Sequence, residues 1–203
     1  MRLNELTRPK SFVQGITSEC KQILSLYASF PGRYFYRGTK KSESYYRATS
    51  PQNRIPKDTS SEAHAVAISA MIALGFTAHR GNSIFVTPSR NIAKEFTLSR
   101  PVGQIYIIFP VDGFHYAWSP NVNDFYSDVR ARAARDRIDS ADFEFSGGDE
   151  DMREVFEDLD YKDTDLDQAL KFSDMSEVMI HGSYYAVNST YERQVNAFIQ
   201  GLK

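Results

Sequence analysis

The segment EVMIHGSYYAV at residues 177–187 contains two β-prone runs, EVMI and YYAV, joined by His181-Gly182-Ser183. Runs of branched and aromatic residues that are bounded by turn residues are typical of strands. A short connection containing glycine between two such runs favours a hairpin. This stretch therefore predicts a β-hairpin whose first strand opens with a glutamate, Glu177.

Further strands and helices are predicted on the N-terminal side of this hairpin. Strands are predicted where apolar, branched or aromatic runs end in turn residues, at residues 33–39, 83–87 and 104–109. Helices are predicted at residues 9–28, behind a Thr59–Glu62 capping box, behind Ser89 and at 129–138. The polar, proline-containing residues 40–58 are predicted to form a loop. This order of elements favours an α+β fold over a doubly wound α/β sheet.

Charge is distributed unevenly along the chain, although the net charge is only −2. Residues 139–174 contain 14 acidic and 3 basic residues, whereas the rest of the chain is basic. Because acidic side chains are rarely buried, residues 139–174 are predicted to form an exposed, mobile acidic insertion. The basic remainder suits an anionic ligand, and its arginine cluster within residues 130–137 is either a solvated helix face or a phosphate-contacting patch.

The composition bounds the class of protein. With 41% hydrophobic and 13% aromatic residues, the chain can form a core, and its length suits one domain, residues 1–203, with an N-terminal helical segment at 1–32. The single cysteine, Cys20, excludes an internal disulfide and a thiolate-rich zinc site, and its helical spacing predicts a core position. No apolar run approaches the ~20 residues of a membrane span, and a secretory signal is lacking, which predicts a cytoplasmic protein. The histidines share no metal-binding spacing, so no metal is expected.

Three predicted strands carry polar residues at one end. These are Arg37-Gly38-Thr39 after the first strand, Thr87-Pro88-Ser89 after the second, and Glu177 at the start of the last hairpin. In the helix behind Ser89, Ala93 and Phe96 are expected to face inward. Taken singly, these features are ordinary, since they also describe a surface arginine, a capped helix entry and a solvated glutamate.

Taken together and in this order, the motifs resemble a known family. They are FYRGT at 35–39, FVTPSRNIAKEF at 85–96, QIYIIFPV at 104–111 and EVMIHGSYYAV at 177–187. The chain resembles ADP-ribosyltransferases of the Arg–Ser–Glu type, the cholera-toxin-like branch, and in particular its small phage and bacterial toxin-type members. The resemblance implies an α+β domain with two packed, mostly antiparallel sheets around an NAD cleft, flanked by helices.

The resemblance also implies a role for each motif residue. Glu177 would stabilise the positive charge that develops on the ribose when the nicotinamide bond breaks. Arg37 would hold the pyrophosphate of NAD, for which a guanidinium with several donors is better suited than lysine. Gly38 would let the backbone approach the nicotinamide amide, and the hydroxyls of Thr87 and Ser89 would hold the Glu177 carboxylate. The expected NAD contacts are completed by Thr39, Thr87 and Phe96.

The segment just before Glu177 recognises the acceptor in this family, which implies that role for Phe172, Asp174 and Met175. Many arginine-modifying members carry a second glutamate two residues before the catalytic one, and asparagine-modifying relatives carry glutamine there. This chain has Met175 at that position, and a methionine can neither act as a base nor orient a guanidinium. An acceptor other than arginine is therefore favoured.

The resemblance thus predicts an NAD-dependent ADP-ribosyltransferase acting as a toxin or phage–host conflict effector. It would transfer ADP-ribose from NAD to a protein side chain or a nucleic-acid base, without a metal. An antitoxin or inhibitor is among the partners that this role implies, whereas a membrane is not. The alternative is a non-catalytic nucleotide or nucleic-acid binding module on the same fold.

Overall fold

A computed structural model describes residues 10–56, 61–98, 103–122, 149–171 and 177–202. Its strands are β1 (Tyr36–Thr39), β2 (Tyr45–Thr49), β3 (Ile84–Val86), β4 (Gln104–Pro110), β5 (His115–Trp118), β6 (Val178–His181) and β7 (Ser183–Asn188). Its helices are α1 (Lys10–Glu19), α2 (Lys21–Ser29), α3 (Ser61–Ala73), α4 (Arg90–Leu98), α5 (Asp149–Asp158), α6 (Leu166–Lys171) and α7 (Glu192–Gln200), with a 3-10 turn at Ser189–Tyr191. The predicted α+β class is confirmed.

Backbone contacts divide the chain into two compact units that are each built from separate segments. Unit 1 comprises residues 1–49, 86–114 and 182–203, and unit 2 comprises residues 50–85 and 115–181. One sheet has the strand order β1-β4-β7-β2, and the other has the order β3-β6-β5. The prediction of one domain over residues 1–203 stays a prediction.

The sheet of unit 1 is built around the apolar strand β4. Strand β4 pairs antiparallel with β1 and with β7, and β7 pairs antiparallel with β2. Ile107, Ile108 and Phe109 of β4 are almost completely buried, as expected for a continuous apolar run in the middle of a sheet. The predicted buried strand at residues 104–109 is therefore confirmed.

The N-terminal helix that the periodicity predicts over residues 9–28 is interrupted at Cys20. Helix α2 starts anew at Lys21, where the carboxylate of Asp112 accepts hydrogen bonds from the backbone N–H groups of Lys21 (3.1 Å) and Gln22 (2.9 Å). A carboxylate at this place satisfies the unpaired amides of a helix start. Cys20 itself is fully buried, which confirms its predicted core position, and burial raises the pKa of its thiol to about 12.

Unit 2 buries apolar residues of α3, α5, β5 and β6 in one cluster that includes Met71, Ala117, Phe156 and Met179. Part of this core comes from the acidic segment. Val155 and Phe156 of α5 and Leu170 of α6 are buried, so the prediction of an exposed insertion at 139–174 is wrong for these apolar residues, whereas most acidic side chains described between 154 and 171 are exposed. The acids of α5 alternate with apolar residues at helical spacing, and this leaves one face free to pack.

Two other predictions about strands are wrong. Residues 45–49 of the predicted loop form β2, which pairs with β7. Strands β6 and β7 do not form a hairpin, because β6 pairs with β5 in one sheet and β7 pairs with β4 and β2 in the other. Gly182 alone separates β6 from β7, and its φ of +131° favours glycine over any residue with a Cβ atom.

Several predictions concern residues outside the described ranges. These are the N-cap at Thr59, the helix at 129–138 and the acceptor-recognition residues Phe172, Asp174 and Met175. Within the described ranges, no helix combines the length and the apolarity that a membrane span requires.

Candidate functional site

Unit 1 contains all the predicted NAD-contacting residues. Arg37, Gly38 and Thr39 lie on β1. The backbone of Thr87 pairs with that of Tyr36, the residue before Arg37, through two hydrogen bonds of 2.7 and 2.9 Å. Two motifs that are fifty residues apart in the sequence are therefore adjacent in the structure.

The side chain of Arg37 lies beside a cluster of tyrosines. Arg37 is opposite Tyr106 of β4, and residues opposite each other project from the same face of a sheet. The Tyr46 ring lies 5.0 Å from the Tyr106 ring and 6.1 Å from the Tyr184 ring. Burial raises the pKa of Tyr46, and the positive charge of Arg37 opposes this shift only in part. These tyrosines were not predicted as site residues, because in the sequence they resemble ordinary strand aromatics.

One donor of the Arg37 guanidinium is unsatisfied within the described residues. Its side chain is half-buried, and its Nη1 atom is buried without a hydrogen-bond partner in the described part of the chain. A buried donor that makes no hydrogen bond is costly. A guanidinium donor beside aromatic rings is suited to a ligand that combines a phosphate with a ring.

Helix α4 packs directly on β1 at Gly38. A Cβ atom at Gly38 would lie 2.2 Å from the backbone oxygen of Ala93, far inside van der Waals contact. The close approach at this glycine is therefore that of α4, and a nicotinamide contact at Gly38 stays a prediction. Ala93 is buried as predicted, but Phe96 is 54% exposed, so the prediction that Phe96 faces inward is wrong.

The hydroxyls of the second motif hold the start of α4. The backbone N–H of Ser89 donates to Thr87 Oγ1 at 3.1 Å, and the backbone N–H of Ile92 donates to Ser89 Oγ at 3.4 Å. Ser89 thus caps α4 as predicted. The role of both hydroxyls toward Glu177 stays a prediction. Thr39 makes a similar local contact, since its Oγ1 accepts a hydrogen bond from the Lys41 amide at 3.1 Å.

Unit 2 contains Glu177, which immediately precedes β6. Its side chain is only 15% exposed, so the ordinary interpretation of a solvated strand end is wrong. Arg80 Nη1 lies 3.3 Å from Glu177 Oε1, and the Arg80 side chain is 7% exposed. Arg80 was not predicted as a site residue, because a single arginine in a turn, ninety-seven residues from Glu177, carries no local signal.

Within unit 2, the Phe85 ring lies beside the Arg80 guanidinium. The guanidinium carbons of Arg80 and Arg54 lie 5.2 and 4.2 Å from the centre of the Phe85 ring. At the other end of β6, His181 Nδ1 lies 3.0 Å from the backbone oxygen of Asn82. Among the described residues, no group of three or more histidine, cysteine, aspartate or glutamate side chains could hold a metal ion.

Comparisons with protein-family models, curated proteins and solved structures give no match for this chain.

Proposed function

We propose that this chain is an NAD-dependent ADP-ribosyltransferase that transfers ADP-ribose from NAD to a macromolecular acceptor. The observation that carries the proposal is the carboxylate of Glu177, which is mostly buried and paired with Arg80 at the start of β6. Burying a charge is costly unless a partner compensates for it, so such a carboxylate is held in a fixed place and orientation. A fixed carboxylate is what an oxocarbenium-like ribose requires.

Arg37 supports the proposal independently. In the proposed reaction its guanidinium binds the pyrophosphate of NAD, and its buried Nη1 supplies a donor with no hydrogen-bond partner within the described residues. Tyr46, which is half-buried, offers an apolar ring face beside this positive charge, and its ring packs against the buried ring of Tyr106.

The proposed chemistry breaks one bond and forms one. The bond between ribose C1′ and the nicotinamide nitrogen breaks, and nicotinamide leaves as a neutral molecule with the bonding electron pair. The carboxylate of Glu177 stabilises the positive charge on the ribose while the acceptor attacks C1′. The acceptor then loses its proton to solvent, and with water as the acceptor the products are ADP-ribose and nicotinamide.

The acceptor is proposed to be a protein side chain or a nucleic-acid base, in a toxin or phage–host conflict setting. This part rests on the resemblance of the motifs and on Met175, which favours an acceptor other than arginine. The basic charge of the chain outside residues 139–174 is compatible with an anionic acceptor.

The test follows both the nicotinamide and the label. The purified protein is incubated with NAD labelled in its adenylate moiety, alone and with a bacterial lysate, and the product is then treated separately with protease and with nucleases. We expect nicotinamide release, and loss of macromolecular label under one treatment identifies the acceptor class. Absence of nicotinamide release and of label in every reaction would overturn the proposal.

A pair of variants connects this activity to the site. Glu177→Gln keeps the size of the side chain but removes its charge, and we expect the rate of nicotinamide release to fall by about 100- to 1000-fold. Glu19→Gln is the matched control, since Glu19 also pairs with an arginine, Arg47 at 2.7 Å, which follows Tyr46 on β2 and therefore projects from the opposite face of the sheet. An E177Q protein that is as active as E19Q would exclude Glu177 from the reaction.

A non-catalytic nucleotide-binding module is the second candidate, and one observation favours it. Unit 1 has a cleft of about 650 Å³ whose described lining includes Arg90 and Lys94 and no acidic side chain. Such a cleft suits an anionic ligand without any chemistry. If NAD binds but releases no nicotinamide, and Arg90→Met weakens binding more than Arg37→Met, this alternative replaces the first.

A further inference from the structure

The turn that carries Arg80 is unusually well held by its own side chains. Asn82 is central to it: its Oδ1 accepts hydrogen bonds from the His79 amide (2.9 Å) and from Ser83 Oγ (3.0 Å), and its Nδ2 donates to the Thr77 oxygen (2.9 Å). An asparagine side chain that bonds to two backbone groups of the preceding residues fixes the path of a turn. Arg80 therefore starts from a rigid backbone.

The same turn contacts both ends of β6. Arg80 pairs with Glu177 directly before the strand, and the backbone oxygen of Asn82 contacts His181, the last residue of the strand. The turn is thus attached to β6 at both ends of the strand, so the position of Arg80 relative to Glu177 does not depend on the ion pair alone.

The side chain of Arg80 is restricted as well. It is 7% exposed, and its guanidinium lies 5.2 Å from the centre of the Phe85 ring. A planar guanidinium against an aromatic ring has few alternative orientations, and a lysine could not reproduce either the stacking or the fork of donors.

We propose that Arg80 is a positioning residue for Glu177: it holds the carboxylate in the orientation that the transfer reaction requires, without contacting NAD itself. This inference rests on the proposed function of Glu177. A misplaced catalytic group lowers the rate of the chemical step, whereas the binding of NAD by other residues is unaffected. The predicted signature is therefore a change in kcat at constant KM.

The experiment measures nicotinamide release from NAD by the full chain, with kcat and KM determined separately. Arg80→Met should lower kcat by about 100-fold and leave KM for NAD within about twofold. The kcat of the Arg80→Lys variant should lie between those of the wild type and R80M. Guanidinium ion added at low concentration should raise the kcat of R80M but not that of E177Q. Arg54→Met is the matched control, because Arg54 stacks on the same ring and should retain full kcat.

The outcomes separate the two proposals. If the wild type releases no nicotinamide, the proposed function fails and this inference with it. If the wild type is active and R80M keeps its kcat within about twofold, Arg80 has no positioning role while the function stands. An equal loss of kcat in R54M and R80M, or a loss confined to KM, also overturns the inference. Should R80M fail to fold by circular dichroism, R80K decides by the same criteria.

Discussion

The packing of α4 against β1 makes Gly38→Ala a sensitive test of the structure. The new Cβ atom would lie 2.2 Å from the Ala93 backbone oxygen and 3.0 Å from the Thr97 methyl group. Normal contacts of this kind are longer by about 1 Å, and the nearest obstacle is backbone that cannot rotate away. Helix α4 must therefore move as a body.

The magnitude follows from two opposing terms. Overpacking of a tight site costs about 1–3 kcal/mol. Replacing glycine by alanine reduces the entropy of the unfolded chain and returns about 0.4–1 kcal/mol. The net destabilisation is about 1–2 kcal/mol, which lowers Tm by about 2–8 °C for a chain of this size.

The assay is thermal unfolding followed by calorimetry, with Gly201→Ala as the matched control. Gly201 has a helical φ of −77°, and a Cβ atom there would lie 3.3 Å or more from its neighbours. We expect the control to change Tm by no more than about 2 °C. A G38A protein with a Tm equal to or above that of the wild type would refute the close contact between α4 and β1.

Two further predictions concern unit 2. Phe156→Ala should lower the free energy of unfolding, measured in urea, by about 3–5 kcal/mol, because the ring is only 1% exposed. The control Glu154→Gln, on the exposed face of α5, should change this free energy by about 0.5 kcal/mol or less. Equal effects of the two substitutions would contradict a core role for the acidic segment. Burial lowers the pKa of His64 and His79 below that of the unfolded chain, so protons bind preferentially to the unfolded state and the free energy of unfolding should fall as the pH drops through about 6.5. The variant H64Q/H79Q should flatten this dependence between pH 7.5 and 5, and a slope equal to that of the wild type would contradict it.

Local sequence patterns were sufficient to predict the secondary structure where a segment is uniformly apolar or begins with a distinct capping residue. Strand β4 and the cap at Ser89 were predicted because QIYIIF and the serine carry their signals within a few residues. The interruption at Cys20 was not, since the carboxylate of Asp112 that caps α2 is ninety residues away in the sequence. Strand β2 was missed for a similar reason: its polar and aromatic residues form a strand because β7 supplies the backbone partners.

In the candidate site, too, features with a local sequence signal were predicted, whereas features that depend on distant residues were not. Arg37, Thr87 and Glu177 were predicted from motifs, and in unit 1 the backbone of Thr87 pairs with that of Tyr36, the residue before Arg37. The burial of Glu177 and its pairing with Arg80 could not be predicted, because both depend on a contact between residues ninety-seven positions apart. The net charge of the acidic segment led to a prediction of exposure, although one face of α5, which includes Phe156, is buried.

Strands β6 and β7 belong to different units, and this division affects the order in which the units can fold during synthesis on the ribosome. Unit 2 is complete once residue 181 has been made, whereas unit 1, which contains the earliest residues, still lacks β7. Strand β2 lies at the edge of its sheet with β7 as its sheet neighbour, so it emerges about 135 residues before the strand it pairs with. Domains that emerge first usually fold first. In this chain the order is reversed, and the unit that begins the chain is the last to be able to close.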